Sequence, residues 1–500
     1  MATLKDAAGN VLLDRQIDWV SSDPTVATTV HDGAYGFIIV NSFPWTPVSV
    51  PRTGTTTVSA ISEGHMASAT ITVINPVYSV SLEPDKGAIL PPGTKIAYAA
   101  TPSGKTGFAV QGATVTWSTS NAAVASVDAN GVVTALSSGS ATISATSDEK
   151  TAGVVMHVQD PVSMGTLAWL NSKYATACAI NTSGSAFCWG DGEYGQLGNG
   201  DTASSFMPIP VAGAVSFSMI APGDQHTCGL STTGAAFCWG YNYNGQLGDN
   251  TRTQSLAPVP VTGGHTFTTV GAGSEFSCGL DTAGLAYCWG WNGFGWGMLG
   301  NPAYSNSSVP VPVVGGHTFS SLTVGLLHAC GLTIDGAAYC WGVGTWGELG
   351  NGSTADQVSP VLVSGSLAFA SLRAGVRQTC GLTAAGAAYC WGNDASSLGF
   401  YGSRVPVRVA CCVAFNAGSL DVGGHACALE SGGTAQCWGG ASPEPVLGGF
   451  SFSSIRPGYR FTCGLTTNSV AYCWGRNELG ELGNGTDTRS DLPVKVLGQP

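Results

Sequence analysis

Cysteine is the residue with the most chemistry to offer in this chain. Fourteen of the sixteen stand in pairs ten positions apart: Cys178/Cys188, Cys228/Cys238, Cys278/Cys288, Cys330/Cys340, Cys380/Cys390, Cys427/Cys437 and Cys463/Cys473. Trp-Gly follows every second member. Paired cysteines suit metal ligation, thiol redox chemistry or disulfide bonding. Zinc sites take cysteines about two to four residues apart with His or Cys partners, and these pairs lack that spacing. In the stretch CGLDTAGLAYCWG (278–290) the midpoint falls on Ala283, inside an Asp-Thr-Ala-Gly turn. A hairpin there sets the two cysteines opposite each other. In a non-hydrogen-bonded antiparallel pair such residues have Cα atoms about 4.5 Å apart, within disulfide reach. Disulfides are the reading taken for the pairs; buried free thiols packing as small hydrophobes are the reading kept beside it. Each bridge closes a short loop and would add no more than about 2–3 kcal/mol, and such a set belongs in an oxidising compartment. Cys411 and Cys412 are adjacent and stand outside the frame; a structural or incidental role is expected for them.

Other chemistry is sparse. His226, His328 and His425 stand two residues before a first cysteine, where Phe276 and Phe461 replace them in other copies. Exchange with Phe indicates packing. No nucleophile–base set, phosphate loop, metal spacing or paired carboxylates emerges. The expectation is a protein with no catalytic residue, no metal and no cofactor. Asn484-Gly485-Thr486 matches a glycosylation sequon but sits where the frame calls for a turn.

The elements that position the cysteines follow from the repeat. The tryptophans after the second cysteines are 189, 239, 289, 341, 391, 438 and 474, spaced 50, 50, 52, 50, 47 and 36 apart. Each copy holds four short strand candidates; in the third they are 258–261, 267–270, 276–280 and 286–290. Four strands per unit of this length, seven times over, is the signature of a seven-bladed β-propeller. The segments HTCGLSTTGAAFCWGYNYNGQLGDNT (226–251) and HACGLTIDGAAYCWGVGTWGELGNGS (328–353) make residues 163–500 resemble the regulator of chromosome condensation repeat family. Copies five and six lack the full Gly-Gln-Leu-Gly turn after Trp391 and Trp438, so shortened or irregular outer strands are expected there. Strand counting further predicts that residues 493–496 pair into the first blade to close the ring.

Upstream, GATVTWSTSNAAVASVDANGVVTALSSGSATISAT (112–146) resembles the bacterial immunoglobulin-like domain of group 2, over 77–160. Residues 1–76 repeat that frame loosely, with an aromatic insertion around Phe37–Trp45 and without the opening strand or two. A chain truncated at its upstream end is the expectation, which would also account for the missing export signal. The fold class is therefore all-β: two immunoglobulin-like sandwiches followed by a seven-bladed propeller.

Charge narrows the partners. The net charge is −12, with charged residues only 10% of the chain. An acidic chain without a basic tract argues against nucleic acid, and no apolar run is long enough for a membrane-spanning helix. A monomer, extracellular or on the cell surface, is expected.

Cysteine pairing also sets the residue three before the first cysteine opposite the residue three after the second. The pairs are Ala175/Asp191, Gln225/Tyr241, Glu275/Trp291, Leu327/Val343, Arg377/Asn393, Gly424/Gly440 and Arg460/Arg476. They share one rim, and no two are alike. Aromatics gather behind the first four (Tyr194, Tyr241, Tyr243, Trp291, Phe294, Trp296, Trp346), and basic residues behind blades 5 and 7 (Arg373, Arg377, Arg456, Arg460, Arg476). Trp, Tyr and Arg are the residues of binding hot spots. The function expected is non-catalytic: an immunoglobulin-like stalk presenting a rim that binds protein or glycan. The family resemblance implies an alternative, a guanine nucleotide exchange factor acting on a small GTPase. Propeller enzymes, lyases or hydrolases, rank below both.

Overall fold

The computed structural model describes residues 18–24, 26–32, 35–39, 54–63, 65–73, 76–392, 403–409, 414–416, 418–438 and 443–500. Expectations about residues 1–17, Trp45, Asn393, Cys411, Cys412 and Gly440 lie outside the described residues. The chain divides into two compact units. One comprises 1–85, 97–134 and 141–155; the other comprises 86–96, 135–140 and 156–500. Among the described residues the only helical segment is the single turn Gly293–Gly295.

In the first unit Asp18–Ser21 pairs antiparallel with Gly54–Ser62, which pairs with His65–Val73. Further along, Ser79–Glu83 pairs with Ala99–Ser103, and Trp117 lies opposite Ala145. Alternation of small and branched residues gives each strand one inward face: Ala125, Val133, Ile143 and Ala145 are fully buried. Gly131 takes a left-handed conformation (φ +81°), and a side chain there would strike the Tyr98 carbonyl and the Trp117 ring.

The second unit is the propeller. Seven blades of four antiparallel strands follow one another in sequence order; six are separate four-stranded sheets, and the strands of the first belong to a larger sheet. Blade 3 runs Phe267–Ala272 (innermost), Phe276–Asp281, Ala286–Trp291 and Asn306–Pro312 (outermost). The strand candidates at 258–261 and its equivalents are therefore the outermost strand of the preceding blade. A cyclic pattern carries no starting point of its own, and the sequence frame stood one strand out of phase. The first blade opens at Leu167–Lys173. Its outermost strand, Ser204–Pro210, is joined at Ser204 and Ser205 by a parallel pairing with Ala88–Leu90, which belongs to the same unit.

Ring closure differs from the expectation. Ser490–Lys495 does not enter the first blade; it completes the seventh, pairing Val494 with Cys473. The ring closes by packing between blades 7 and 1. The joint used is the one found elsewhere in the ring. Trp189 Nε1 donates to the Glu481 carbonyl at 3.0 Å, as Trp239 does to Gln196, Trp289 to Gln246 and Trp391 to Glu348 at 2.9 Å each, and Trp341 to Met298 at 3.2 Å. The second Gly of Gly-Gln/Glu-Leu-Gly lies against that ring: a Cβ on Gly198 or Gly248 would stand 2.6 or 2.8 Å from the indole nitrogen of the next blade.

Blade 6 is cut down as the sequence implies, with two-residue inner and outer strands at Asp421–Val422 and Glu444–Pro445. Blade 5 departs from the expectation: its outermost strand, Ser403–Arg408, is full length, because the Val-Pro-Val pattern that forms this strand survives there. Six of the repeat tryptophans are fully buried between blades. Trp474, which follows the short blade, is only half-buried.

Candidate functional site: the variable rim and the axial channel

The cysteines pair as the spacing predicts. Disulfides join Cys178–Cys188, Cys228–Cys238, Cys278–Cys288, Cys330–Cys340, Cys380–Cys390, Cys427–Cys437 and Cys463–Cys473, with Cα atoms 4.0–4.1 Å apart. Each bridge lies in register between the second and third strands, as Cys278 does opposite Cys288. Cys188, Cys238 and Cys340 are fully buried and Cys390 is 4% exposed, so these positions are scaffold and present nothing to a partner. On their outer side the ladder departs from a plain hairpin. Its register shifts between Cys188 and Gly190, Cys238 and Gly240, Cys340 and Gly342, and Cys390 and Gly392. Such a bulge at the intervening tryptophan sharpens the local twist. The cysteine spacing sets the inner register alone and carries no sign of it.

Fixing the inner register also fixes the open end of the hairpin. The amide of Trp291 donates to the Glu275 carbonyl, that of Tyr241 to Gln225 and that of Arg476 to Arg460, each at 2.9 Å. The Gly after each tryptophan makes this approach feasible. Gly290 has φ +105°, and a Cβ there would stand 2.5 Å from the Glu275 carbonyl oxygen.

The histidines belong to the joint between blades. Ser277 Oγ donates to the Gln246 carbonyl at 2.9 Å and accepts from His226 Nε2 at 2.7 Å. Thr379 does the same between the Glu348 carbonyl and His328, and His425 Nε2 lies 2.7 Å from Thr462 Oγ1. Burial pushes the pKa of both His226 and His328 down to about 3, so both rings are neutral and serve packing. His425 lies close to Cys427 and Cys437, but those sulfurs are bonded to each other and offer no thiolate to a metal. Asn484 spends its side chain on its own turn, accepting from Thr486 N and Oγ1 at 3.2 and 2.9 Å.

On the rim, the loop after the third strand of one blade reaches the turn of the next. Tyr194 meets Tyr241 edge-on with ring centroids 5.4 Å apart. Asn244 Nδ2 donates to Glu275 at 2.5 Å. The Arg377 guanidinium stacks 4.8 Å over the Trp346 ring, a cation–π contact. Arg460 lies 5.3 Å from the Tyr459 ring, and Arg476 makes two contacts to Glu478, at 2.6 and 3.0 Å. Trp291, Phe294 and Trp296 form a triad with centroid distances of 4.7–6.0 Å.

Exposure sorts these residues. Trp291 and Trp296 lean on the core of blade 3, whereas Phe294 is 88% exposed and Tyr243 69%. Trp346 and Arg377 are also exposed. Acidic groups complete the rim on the aromatic side: Asp191 and Glu275 from the sequence pairs, and Asp224, which the sequence reading missed. Burial, the largest cause in each case, raises the pKa of Asp191, Asp224 and Glu275 from their ordinary values.

Arg373 and Arg456 are not on this rim. They lie on innermost strands, opposite Cys380 and Cys463, and face the axis of the ring. Their proximity in sequence to Arg377 and Arg460 concealed this; counting residues back from the turn reveals it. In the axial channel they flank Asp421, with Nε atoms 3.8 and 3.5 Å from its carboxylate oxygens. Lys173 stands where other blades carry Gly223, Gly273, Gly325, Gly375 and Gly458. Its Nζ crosses the channel to donate to the carbonyls of Ala272 (3.3 Å) and Val324.

A model of the regulator of chromosome condensation (RCC1) repeat matches residues 183–230, 233–280 and 335–382. A second model of that repeat matches 218–246, 267–295 and 453–481. A model of the bacterial Ig-like domain (group 2) matches 79–158. A search of curated proteins finds no matching sequence. Among solved structures, yeast RCC1 (Prp20) bound to Kap60 is similar at 19% identity and a TM-score of 0.55, covering 62% of this chain and 83% of that one. Prp20p from Saccharomyces cerevisiae, described with its binding to Gsp1p and histones, is similar at 20% identity and 0.55, covering 67% and 87%. At this identity the likeness concerns the propeller fold.

Proposed function

We propose that this protein, which carries regulator of chromosome condensation repeats and a bacterial Ig-like domain of group 2, is a non-catalytic exported or cell-surface binding protein. Its partner, a protein or a glycan, docks on the variable rim. The carrying observation is the contrast between scaffold and rim. Disulfides, Trp-Gly steps and inter-blade joints recur around the ring, while the rim positions they hold in register differ from blade to blade. Phe294, Tyr243 and the Trp346–Arg377 stack project there, and Trp, Tyr and Arg anchors dominate binding energetics. Acidic groups on blades 1–3 and Arg377, Arg460 and Arg476 on blades 5 and 7 give that rim a direction for a partner with complementary charge.

The test is affinity capture under oxidising conditions with the intact chain and with a Tyr243→Ala, Phe294→Ala, Trp346→Ala variant, beside a glycan array. Loss of the captured partner or glycan in the variant supports the rim; an unchanged profile sinks it. Location is read from a thiol count on protein isolated without reductant. Sixteen cysteines less fourteen in disulfides leaves at most two free thiols in an exported protein. A full set of free thiols would instead favour the exchange-factor alternative in a reducing compartment.

A further inference from the structure

The axial channel encloses a cavity of about 410 Å³, within the size range of small-molecule sites. Its wall is uneven at the level of the first half-cystines. Blades 5, 6 and 7 contribute Arg373, Asp421 and Arg456. Across from them blades 1, 2 and 4 contribute Asn171, Ala221 and Thr323, which are uncharged.

A structural ion pair accounts for only part of this. One carboxylate needs one guanidinium, and here two are directed at Asp421. Each arginine is tethered at its back: Arg373 donates to the Leu372 carbonyl at 2.9 Å and Arg456 to the Ile455 carbonyl at 3.0 Å. Among the described residues neither guanidinium makes a further hydrogen bond. Lys173 adds a third cation at the rim end of the channel. Burial lowers its pKa to about 8, which leaves it protonated at neutral pH. Three cations against one carboxylate leave two positive charges in a protein whose net charge is −12. Partly buried charge without an equal counter-charge is costly, and the hydroxyls of Thr269 and Ser321 lining the cavity provide no negative charge.

We propose that the axial channel is a receptor for a small dianion, held by the free guanidinium N–H groups of Arg373 and Arg456. A phosphate ester and a dicarboxylate share this chemistry: both present paired oxygens to the planar donor fork. The rim end is narrowed by Lys173 and by a ring of backbone bonds between turns, such as Asp224 N to the Gly273 carbonyl and Tyr459 N to the Tyr174 carbonyl. The dianion therefore enters from the opposite face, and the site is independent of the rim.

The experiment is titration calorimetry of the full oxidised chain with inorganic phosphate and, separately, with succinate, at constant ionic strength. The expected result is saturable one-to-one binding of at least one probe. Phosphate alone identifies the phosphate-ester class, succinate alone the dicarboxylate class, and both a general dianion site. Arg373→Gln and Arg456→Gln should each weaken binding about tenfold or more. Asp421→Asn should tighten it about tenfold, because it removes the carboxylate that competes for the same donors. This gain separates a binding site from a merely structural cluster and does not depend on whether the arginine variants fold. The proposal is overturned if neither probe binds up to about 10 mM, or if Asp421→Asn leaves the affinity of a bound probe unchanged.

Discussion

Blades 1 to 4 and blade 7 can be set against blade 6, because the difference in sequence is short and its consequence appears one blade further round. In the first group the chain after Trp-Gly returns through a Gly-Gln/Glu-Leu-Gly turn or its Gly-Met-Leu-Gly variant. Its carbonyl takes the indole N–H of the next blade, and its glycine lets the indole ring approach. After Trp438-Gly439 the chain instead runs through Gly-Ala-Ser-Pro-Glu-Pro. The tryptophan it should seat, Trp474, is left half-buried, and blade 6 keeps only two-residue strands at its inner and outer edges. The indole N–H of Trp438 itself, following blade 5, is buried without a partner among the described residues. The turn is thus a joint between blades as well as a loop within one.

The largest effect should come from the tryptophans. Trp289→Ala removes a fully buried ring and its hydrogen bond and should cost about 3–5 kcal/mol in denaturant unfolding of the propeller. Trp474→Ala should cost about half of that or less, since part of its surface already meets water. Equal losses would break the comparison.

A smaller effect separates joints that share a geometry but differ in charge. Blade 4 carries Glu348 where blades 1 and 2 carry Gln196 and Gln246, and each side-chain oxygen accepts an amide from its own turn. Burial pushes the Glu348 carboxyl from 4.5 up to about 7. With the folded-state pKa above the unfolded one, the stability contributed by the protonated form is fully present below about pH 4.5 and is lost as pH rises through 7. Glu348→Gln should remove that slope and stabilise the fold above pH 7 by up to about 3 kcal/mol. An unchanged pH profile of unfolding would show that the carboxyl is solvated in the ring.

The disulfides sharpen the contrast by rate rather than by total stability. Removing any one should cost about 2–3 kcal/mol, but Cys437 is partly exposed while Cys278 and Cys288 are fully buried. Graded reduction followed by thiol labelling and mass mapping should find Cys427–Cys437 opening first. Earlier opening in blade 3 would mean that the short blade is not the loose one.

Much of this was legible in the residues. Cysteine spacing carried the hairpin register, and the register carried the rim pairs, because both follow from the period of a strand. Shortening of blade 6 was legible as a missing turn. Four things were not. The phase of the blade is invisible in a cyclic pattern, which displaced 258–261 and 493–496 by one strand. The bulge after Cys188, Cys238, Cys340 and Cys390 lies on the outer ladder, which the cysteine pairs do not span. Arg373 and Arg456 stand four residues before Arg377 and Arg460, and only strand parity, once the phase is known, turns them to the axis. Contacts such as Tyr194 with Tyr241 cross between loops of different blades, and their packing has no periodic signature.

The smallest effect on stability should come from the rim, and it tests whether scaffold and rim are separable. Phe294 and Tyr243 project from loops whose backbone is held by the joint below them: the turn beside Tyr243 is closed by Asn244 N donating to Gln246 Oε1 at 3.0 Å. Truncating an exposed side chain away from caps, cores and networks changes stability within about 0.5 kcal/mol. Phe294→Ala and Tyr243→Ala should stay within that range while weakening capture of a rim partner. Trp291→Ala, one turn away but leaning on the blade 3 core, should lose both. A rim substitution that destabilised the propeller as much as Trp289→Ala would place these aromatics in the scaffold and leave the binding face without its anchors.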